Sequence, residues 1–86
     1  MPRISEFFGI VIEMFYGDHP PPHFHARYGE ESAKVAIEDG EVIAGSLSGR
    51  ALRLVREWLD EHREELIANW DRVVNHEAPE RVEPLT

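Results

Sequence analysis

Three consecutive prolines at positions 20–22 constrain this chain more than any other feature of its sequence. Proline fixes φ near about −65° and has no backbone N–H, so these residues cannot occupy a helix interior or a central strand. His19 precedes the first proline and is therefore biased toward extended backbone. We predict that residues 19–22 form a stiff, extended segment, called the proline arm below, that leads into the following strand.

The residues directly after the proline arm alternate in polarity, which predicts a strand. Side chains on a strand point alternately to opposite faces. His23, His25 and Arg27 would share one face, whereas Phe24 and Tyr28 would lie on the other. Three of the five histidines thus lie at or just after the proline arm, and this concentration marks the candidate functional surface.

Length and composition limit what can surround this surface. The chain has 86 residues, enough for a single domain over residues 1–86 but not for two. It has no cysteine, which excludes disulfides and thiolate zinc sites, so we expect a homodimer or another partner to add stability.

Its 17 acidic and 9 basic residues give a formal charge of −8, which disfavours nucleic acid as a partner. No leader pattern and no apolar run of about 20 residues is present, so a cytoplasmic protein is expected.

The first half of the chain, residues 1–46, predicts an antiparallel β-meander that contains the proline arm. Residues 7–16 are rich in β-branched and aromatic side chains and predict its first strand. Residues 32–38 alternate and predict a further strand, and Asp39-Gly40 predicts a tight hairpin to a short returning strand. The expected sheet therefore has three or four strands.

The second half predicts one long amphipathic helix over residues 48–75, with Ser48 as its N-cap, followed by a tail at 77–86. At about 1.5 Å per residue such a helix would be near 40 Å long, which is long for so small a domain and predicts either a kink or a protruding end. Trp58 and Trp70 would differ in environment, one facing the sheet and one near its border as an interface anchor. The predicted fold class is α+β, a small antiparallel sheet packed against one long C-terminal helix.

The histidine run HPPPHFHA at residues 19–26, with Tyr28-Gly29-Glu30 after it, resembles the small bacterial domain-of-unknown-function family numbered 4160. The helix carries the same resemblance at Arg50-Ala51-Leu52 through Trp58, at 62–66 and at Asn69-Trp70. Where that family often has a proline before the helix, this chain has Ser48-Gly49, which weakens the helix start.

The resemblance implies no catalytic residues, because the family is uncharacterised. It does imply a genetic context, since its members often stand beside a second small family, numbered 2442, in two-gene arrangements of toxin–antitoxin-like type. We therefore interpret the chain as a cytosolic partner-binding component of such a module, with the neighbouring-gene protein as its partner. The surface assigned to that partner or to another ligand consists of His19, His23, His25, Arg27 and Arg50.

A histidine-based metal site is one alternative interpretation. His19, His23 and His25 would bind a divalent cation such as zinc, with Asp18 as a further ligand or as a group that orients them. The competing structural interpretation is that the same histidines hydrogen-bond the loop backbone and hold the proline arm in place.

A His-dependent ribonuclease is the second alternative. Imidazole titrates near neutral pH and can act both as general base and as general acid. Arg27 shares the histidine face, and Arg50, Arg53 and Arg56 would form a basic ridge at the start of the helix. The acidic charge balance counts against this function, and arginines at this spacing are more often a solvated helix face.

Overall fold

The computed structural model describes residues 2–86, which form five strands followed by one helix. The elements are β1 Arg3–Phe7, β2 Ile10–Glu13, β3 His23–Tyr28, β4 Glu31–Ala36, β5 Val42–Gly45 and α1 Gly49–Val74. The strands lie in chain order in one sheet, and each pairs antiparallel with the next. This is the predicted α+β fold, with five strands where three or four were expected.

The additional strand arises because residues 7–16 do not form one continuous strand. Phe8 and Gly9 have φ values of 49° and 81°, so the chain reverses there, and Phe7 pairs with Ile10 across the turn. Two successive residues with positive φ are what a tight two-residue hairpin requires. The predicted first strand is therefore wrong. The turn leaves the Phe8 side chain 53% exposed to solvent.

The core lies between one face of the sheet and α1. Phe24 packs edge-on against Trp58 with ring centroids 5.6 Å apart, and Phe7 contacts the same indole at 5.3 Å. Burying a side chain such as Phe24 stabilises the fold by about 1.5–3 kcal/mol. His25 is half-buried and Arg27 is exposed on the opposite face of β3, so the predicted alternation is confirmed.

Helix α1 spans 26 residues and is kinked at His62, whose φ of −128° is not helical. Of the two alternatives that the sequence left open, a kink or a protruding end, the structure shows the kink. Ser48 precedes the helix but makes no side-chain capping bond. Trp58 and Trp70 are 0% and 7% exposed, so the expectation that one of them serves as an accessible interface anchor is wrong.

The C-terminal tail returns along the helix and the sheet. The backbone N–H of Val82 donates to the Ile4 carbonyl at 2.8 Å, and the Trp58 indole N–H donates to the Glu83 carbonyl at 2.8 Å. Val82 is buried as a result. Nowhere in residues 2–86 does a helix have the length and apolar character that a membrane span requires.

Candidate metal centre

The candidate site forms where the connection between β2 and β3 folds back over the start of β3. His23 and His25 are two residues apart on β3 and therefore project from the same face of the sheet, opposite Phe24. Asp18 lies in the connection, just before the proline arm, and its carboxylate reaches both imidazole rings.

Backbone hydrogen bonds hold both ends of this connection. The N–H of Gly17 donates to the Val73 carbonyl at the end of α1, at 2.9 Å, and the N–H of Ile37 donates to the Pro22 carbonyl at 3.0 Å. The proline arm and the residues before it are therefore fixed to the helix on one side and to the sheet on the other. Asp18 is placed over β3 by the fold rather than by its own side-chain bonds alone.

The three side chains converge on one small volume. Oδ2 of Asp18 lies 2.9 Å from Nε2 of His23 and 3.2 Å from Nε2 of His25. One ligand atom from each of the three residues lies within 4.8 Å of the other two. A tetrahedral zinc ion with bonds of about 2.0–2.1 Å separates its ligand atoms by about 3.3 Å. The two distances from the Asp18 oxygen are already close to this spacing, and all three ligand atoms lie within 4.8 Å of one another, so the cluster could hold a metal ion.

His23 shows which of its ring nitrogens is available. Its Nδ1 lies 2.7 Å from the Pro21 carbonyl oxygen, which can only accept, so Nδ1 carries a proton and donates it. In the neutral ring Nε2 therefore presents a lone pair to the Asp18 carboxylate. The 2.9 Å separation is that of an ion pair, yet its direction makes no hydrogen bond. The His23 ring is only 3% exposed. Its Nε2 is therefore buried, and within residues 2–86 it has no hydrogen-bond partner.

Two pKa shifts favour the protonation state that metal binding requires. Burial alone would raise the pKa of Asp18, but hydrogen bonds from the His19 backbone N–H and the His25 ring, with positive charge at the two histidines, lower it overall. Burial lowers the pKa of His25, and charge at His23 and Lys34 acts in the same direction against the opposing effect of Asp18. A charged carboxylate and a neutral imidazole are the forms that bind metal.

Aromatic rings enclose the cluster on two sides. The Phe15 ring lies edge-on to His25 with centroids 4.1 Å apart, and the Trp70 ring lies 5.2 Å from that of His23. A third side opens into a pocket of about 340 Å³. Its lining residues are Asp18, His19, Pro20, Pro21, His23, Lys34, Ile43 and Ala44.

The residues predicted from the sequence are only partly brought together. His23 and His25 join Asp18 in the cluster, whereas the exposed His19 ring is not part of it. His19 instead donates its backbone N–H to Oδ1 of Asp18 at 2.9 Å. Arg27 projects beside the cluster, and its guanidinium lies 3.7 Å from Oε2 of Glu13.

Two arginines named from the sequence lie on α1 outside the cluster, and two neighbours of His23 had no signal in the sequence. Arg50 is exposed in the first turn of α1, and Arg56 donates to the Gly40 carbonyl, so the expected basic ridge is partly used in holding a turn. The Pro21 carbonyl that fixes the His23 ring, and the Trp70 ring beside it, become neighbours only through the path of the connection and the end of the helix.

Comparison with known proteins places this site inside a shared domain. No curated protein and no solved structure matches the chain. The family model described as "Domain of unknown function (DUF4160)" matches residues 9–71, a range that includes the whole candidate cluster and Trp70. Since this match covers well over half of the 86 residues, the chain belongs to the DUF4160 family.

Proposed function

We propose that this protein binds a divalent transition-metal ion, best fitted by zinc, through Asp18, His23 and His25. The observation that carries the proposal is the buried Nε2 of His23. Within residues 2–86 this nitrogen has no hydrogen-bond partner, although it faces the Asp18 carboxylate. The other ring nitrogen, Nδ1, donates to the Pro21 carbonyl. A metal-ligating histidine commonly donates its second ring N–H to a backbone carbonyl in this way, which fixes the tautomer and the ring orientation.

The donor set favours a transition metal over magnesium or calcium. Two imidazole nitrogens with one carboxylate oxygen suit zinc, cobalt or nickel, whereas magnesium and calcium prefer oxygen ligands throughout. Three protein ligands are also one fewer than a closed structural zinc site uses. The proposed site therefore keeps a free coordination position.

A purely structural role for the histidines explains less of the same geometry. The bond from Nδ1 of His23 to the Pro21 carbonyl would by itself tie the ring to the proline arm. It provides no hydrogen-bond partner, within residues 2–86, for Nε2, which is buried 2.9 Å from the Asp18 carboxylate. A metal ion satisfies both groups at neutral pH.

Isothermal titration with Zn²⁺ of untagged protein, previously freed of metal with a chelator, tests this proposal. We expect one ion per chain, and a loss of affinity of at least about 100-fold in Asp18→Asn and in His25→Ala, since each removes a direct ligand.

His19→Ala is the matched control for this titration. It removes an exposed imidazole from the same segment but keeps the backbone N–H that bonds Asp18, so its zinc affinity should equal that of the parent. Absence of binding in the parent, or an equal loss in the control, would contradict the assigned ligand set.

We further propose that the protein associates with the small protein of the family numbered 2442 that the resemblance leads us to expect from a neighbouring gene. One observation indicates where on the surface this partner would bind. Strand β5 forms an outer edge of the sheet, and its Ile43 is 43% exposed next to the histidine surface. Exposed edge strands are ready sites for pairing with another chain.

Size-exclusion chromatography of the two purified proteins, separately and mixed, tests the association. Ile43→Asp should abolish the complex, while Ile67→Asp should leave it intact, because Ile67 is 45% exposed but lies on α1. An unchanged complex in Ile43→Asp would contradict this contact. A self-association that the same substitution removes would instead assign the β5 edge to a homodimer.

A further inference from the structure

A pocket of small-molecule size lies beside the proposed metal site. Resting on the metal binding proposed above, we infer that the free coordination position takes an oxygen of a small phosphate monoester, and that the Lys34 ammonium holds the same phosphoryl group.

The pocket borders two of the proposed metal ligands. Asp18 and His23 both form part of its wall, so an ion held between them would border the pocket. His25 completes the ligand set from the neighbouring position on β3, where the Phe15 ring covers it. The free coordination position is therefore directed to the pocket.

Lys34 places a free cation in the same wall. Its position on β4 is directly paired with His25 on β3, so the two side chains leave the same face of the sheet. Throughout residues 2–86 no carboxylate forms an ion pair with Lys34, whereas the nearby Arg27 is paired with Glu13. The Lys34 charge is thus available to a ligand in the pocket.

Charge at the pocket favours a dianion. The Asp18 carboxylate and the Lys34 ammonium cancel formally, so a divalent ion leaves a local charge of about two positive units in a chain of formal charge −8. A phosphate monoester, with a charge of about −1.5 to −2 at neutral pH, balances this better than a monocarboxylate. A metal ion and a lysine are also a common pair of groups for holding phosphoryl oxygens.

The rest of the wall limits the size and character of the ligand. Pro20, Pro21, Ile43 and Ala44 supply apolar surface, and a volume of about 340 Å³ lies at the lower end of small-molecule sites. A small organic phosphate fits this combination of one charged end and an apolar wall. The overall negative charge of the chain disfavours a polymer of phosphates.

Cobalt-loaded protein offers a direct test, because the visible spectrum of bound Co²⁺ changes when an anion enters its coordination shell. Phenyl phosphate should change the spectrum of the full chain saturably, and acetate should bind at least about tenfold more weakly. Lys34→Gln should weaken phenyl phosphate at least about tenfold without changing the affinity for Co²⁺.

Arg53→Gln, which removes an exposed cation of α1 outside the pocket, is the matched control and should bind phenyl phosphate as the parent does. Failure to take up Co²⁺ overturns the metal site itself. Uptake of Co²⁺ with no spectral response to phenyl phosphate, equal binding by Lys34→Gln, or acetate binding as tightly as phenyl phosphate overturns this inference alone and leaves the metal site standing.

Discussion

At the scale of single residues, His23 determines the character of the site because its two ring nitrogens have different environments. Nδ1 is held by the Pro21 carbonyl, and Nε2 is buried against the Asp18 carboxylate. His25 differs, since its ring is partly accessible and does hydrogen-bond Asp18 at 3.2 Å. Substitution of His23 would therefore leave the carboxylate without its buried neighbour, while substitution of His25 would mainly remove a ligand.

The two shifted pKa values predict how the metal-free protein responds to acid. Because the folded-state pKa of His25 is lowered, the unfolded chain takes up the proton first as the pH falls below about 6.5, and folded-state stability declines from there. The pKa of Asp18 is also lowered, so the stability that its charged form contributes is lost only in strong acid, as the pH falls through its folded-state pKa.

Urea unfolding in the presence of a chelator at pH 7.5 and pH 5 measures this effect. The midpoint should fall on acidification in the parent and fall less in His25→Asn. His19→Asn removes an exposed imidazole from the same segment and should follow the parent. A midpoint that is independent of pH in this range, or identical pH dependence in all three proteins, would contradict the assigned role of His25.

Residue-scale prediction from the sequence succeeded where strand periodicity decides the outcome. Alternation alone places His23 and His25 on one face and Phe24 on the other. It could not show that Asp18 rather than the His19 ring completes the cluster, because that depends on the three-dimensional path of the connection before β3. The tautomer of His23 follows from a contact with the Pro21 carbonyl that no spacing rule encodes.

At the scale of elements, the kink in α1 links the helix to the site. A straight helix of 26 residues would be about 39 Å long, more than the 32 Å longest extent of the chain. The break at His62 lets Trp58 pack in the core while Trp70 reaches the His23 ring. Helix length, readable from the sequence, therefore predicted a kink or a protruding end, but the choice of the kink and the partner of each indole depended on the bend itself.

The β1–β2 hairpin was hidden from the sequence for a physical reason. Its turn is made by Phe8 and Gly9, and aromatic residues favour strands rather than positive φ. Gly9 was the sole local indication of a break, and it stands inside a β-branched and aromatic run. Pairing of both strands in the sheet outweighs the local preference of Phe8, so tertiary structure decides this element.

At the scale of the whole molecule, a bound ion would matter because the domain is small and has no disulfide. Its proposed ligands join the connection before the proline arm to the middle strand of the sheet, and the Gly17 backbone joins that connection to the end of α1. The proposed ion would thus lie where sheet, connection and helix meet. Anything that binds the folded chain but not the unfolded one raises its apparent stability.

Thermal unfolding followed by circular dichroism, with zinc and with a chelator, tests this consequence. Zinc at 100 times its dissociation constant contributes about 2.7 kcal/mol, which for a domain of this size raises Tm by about 10–20 °C. Asp18→Asn should abolish the shift, whereas Glu57→Gln, which removes an exposed carboxylate of α1, should keep it. The same Tm with zinc and with chelator in the parent would show that no ion binds the folded chain preferentially, and the proposed metal function would then have to be given up.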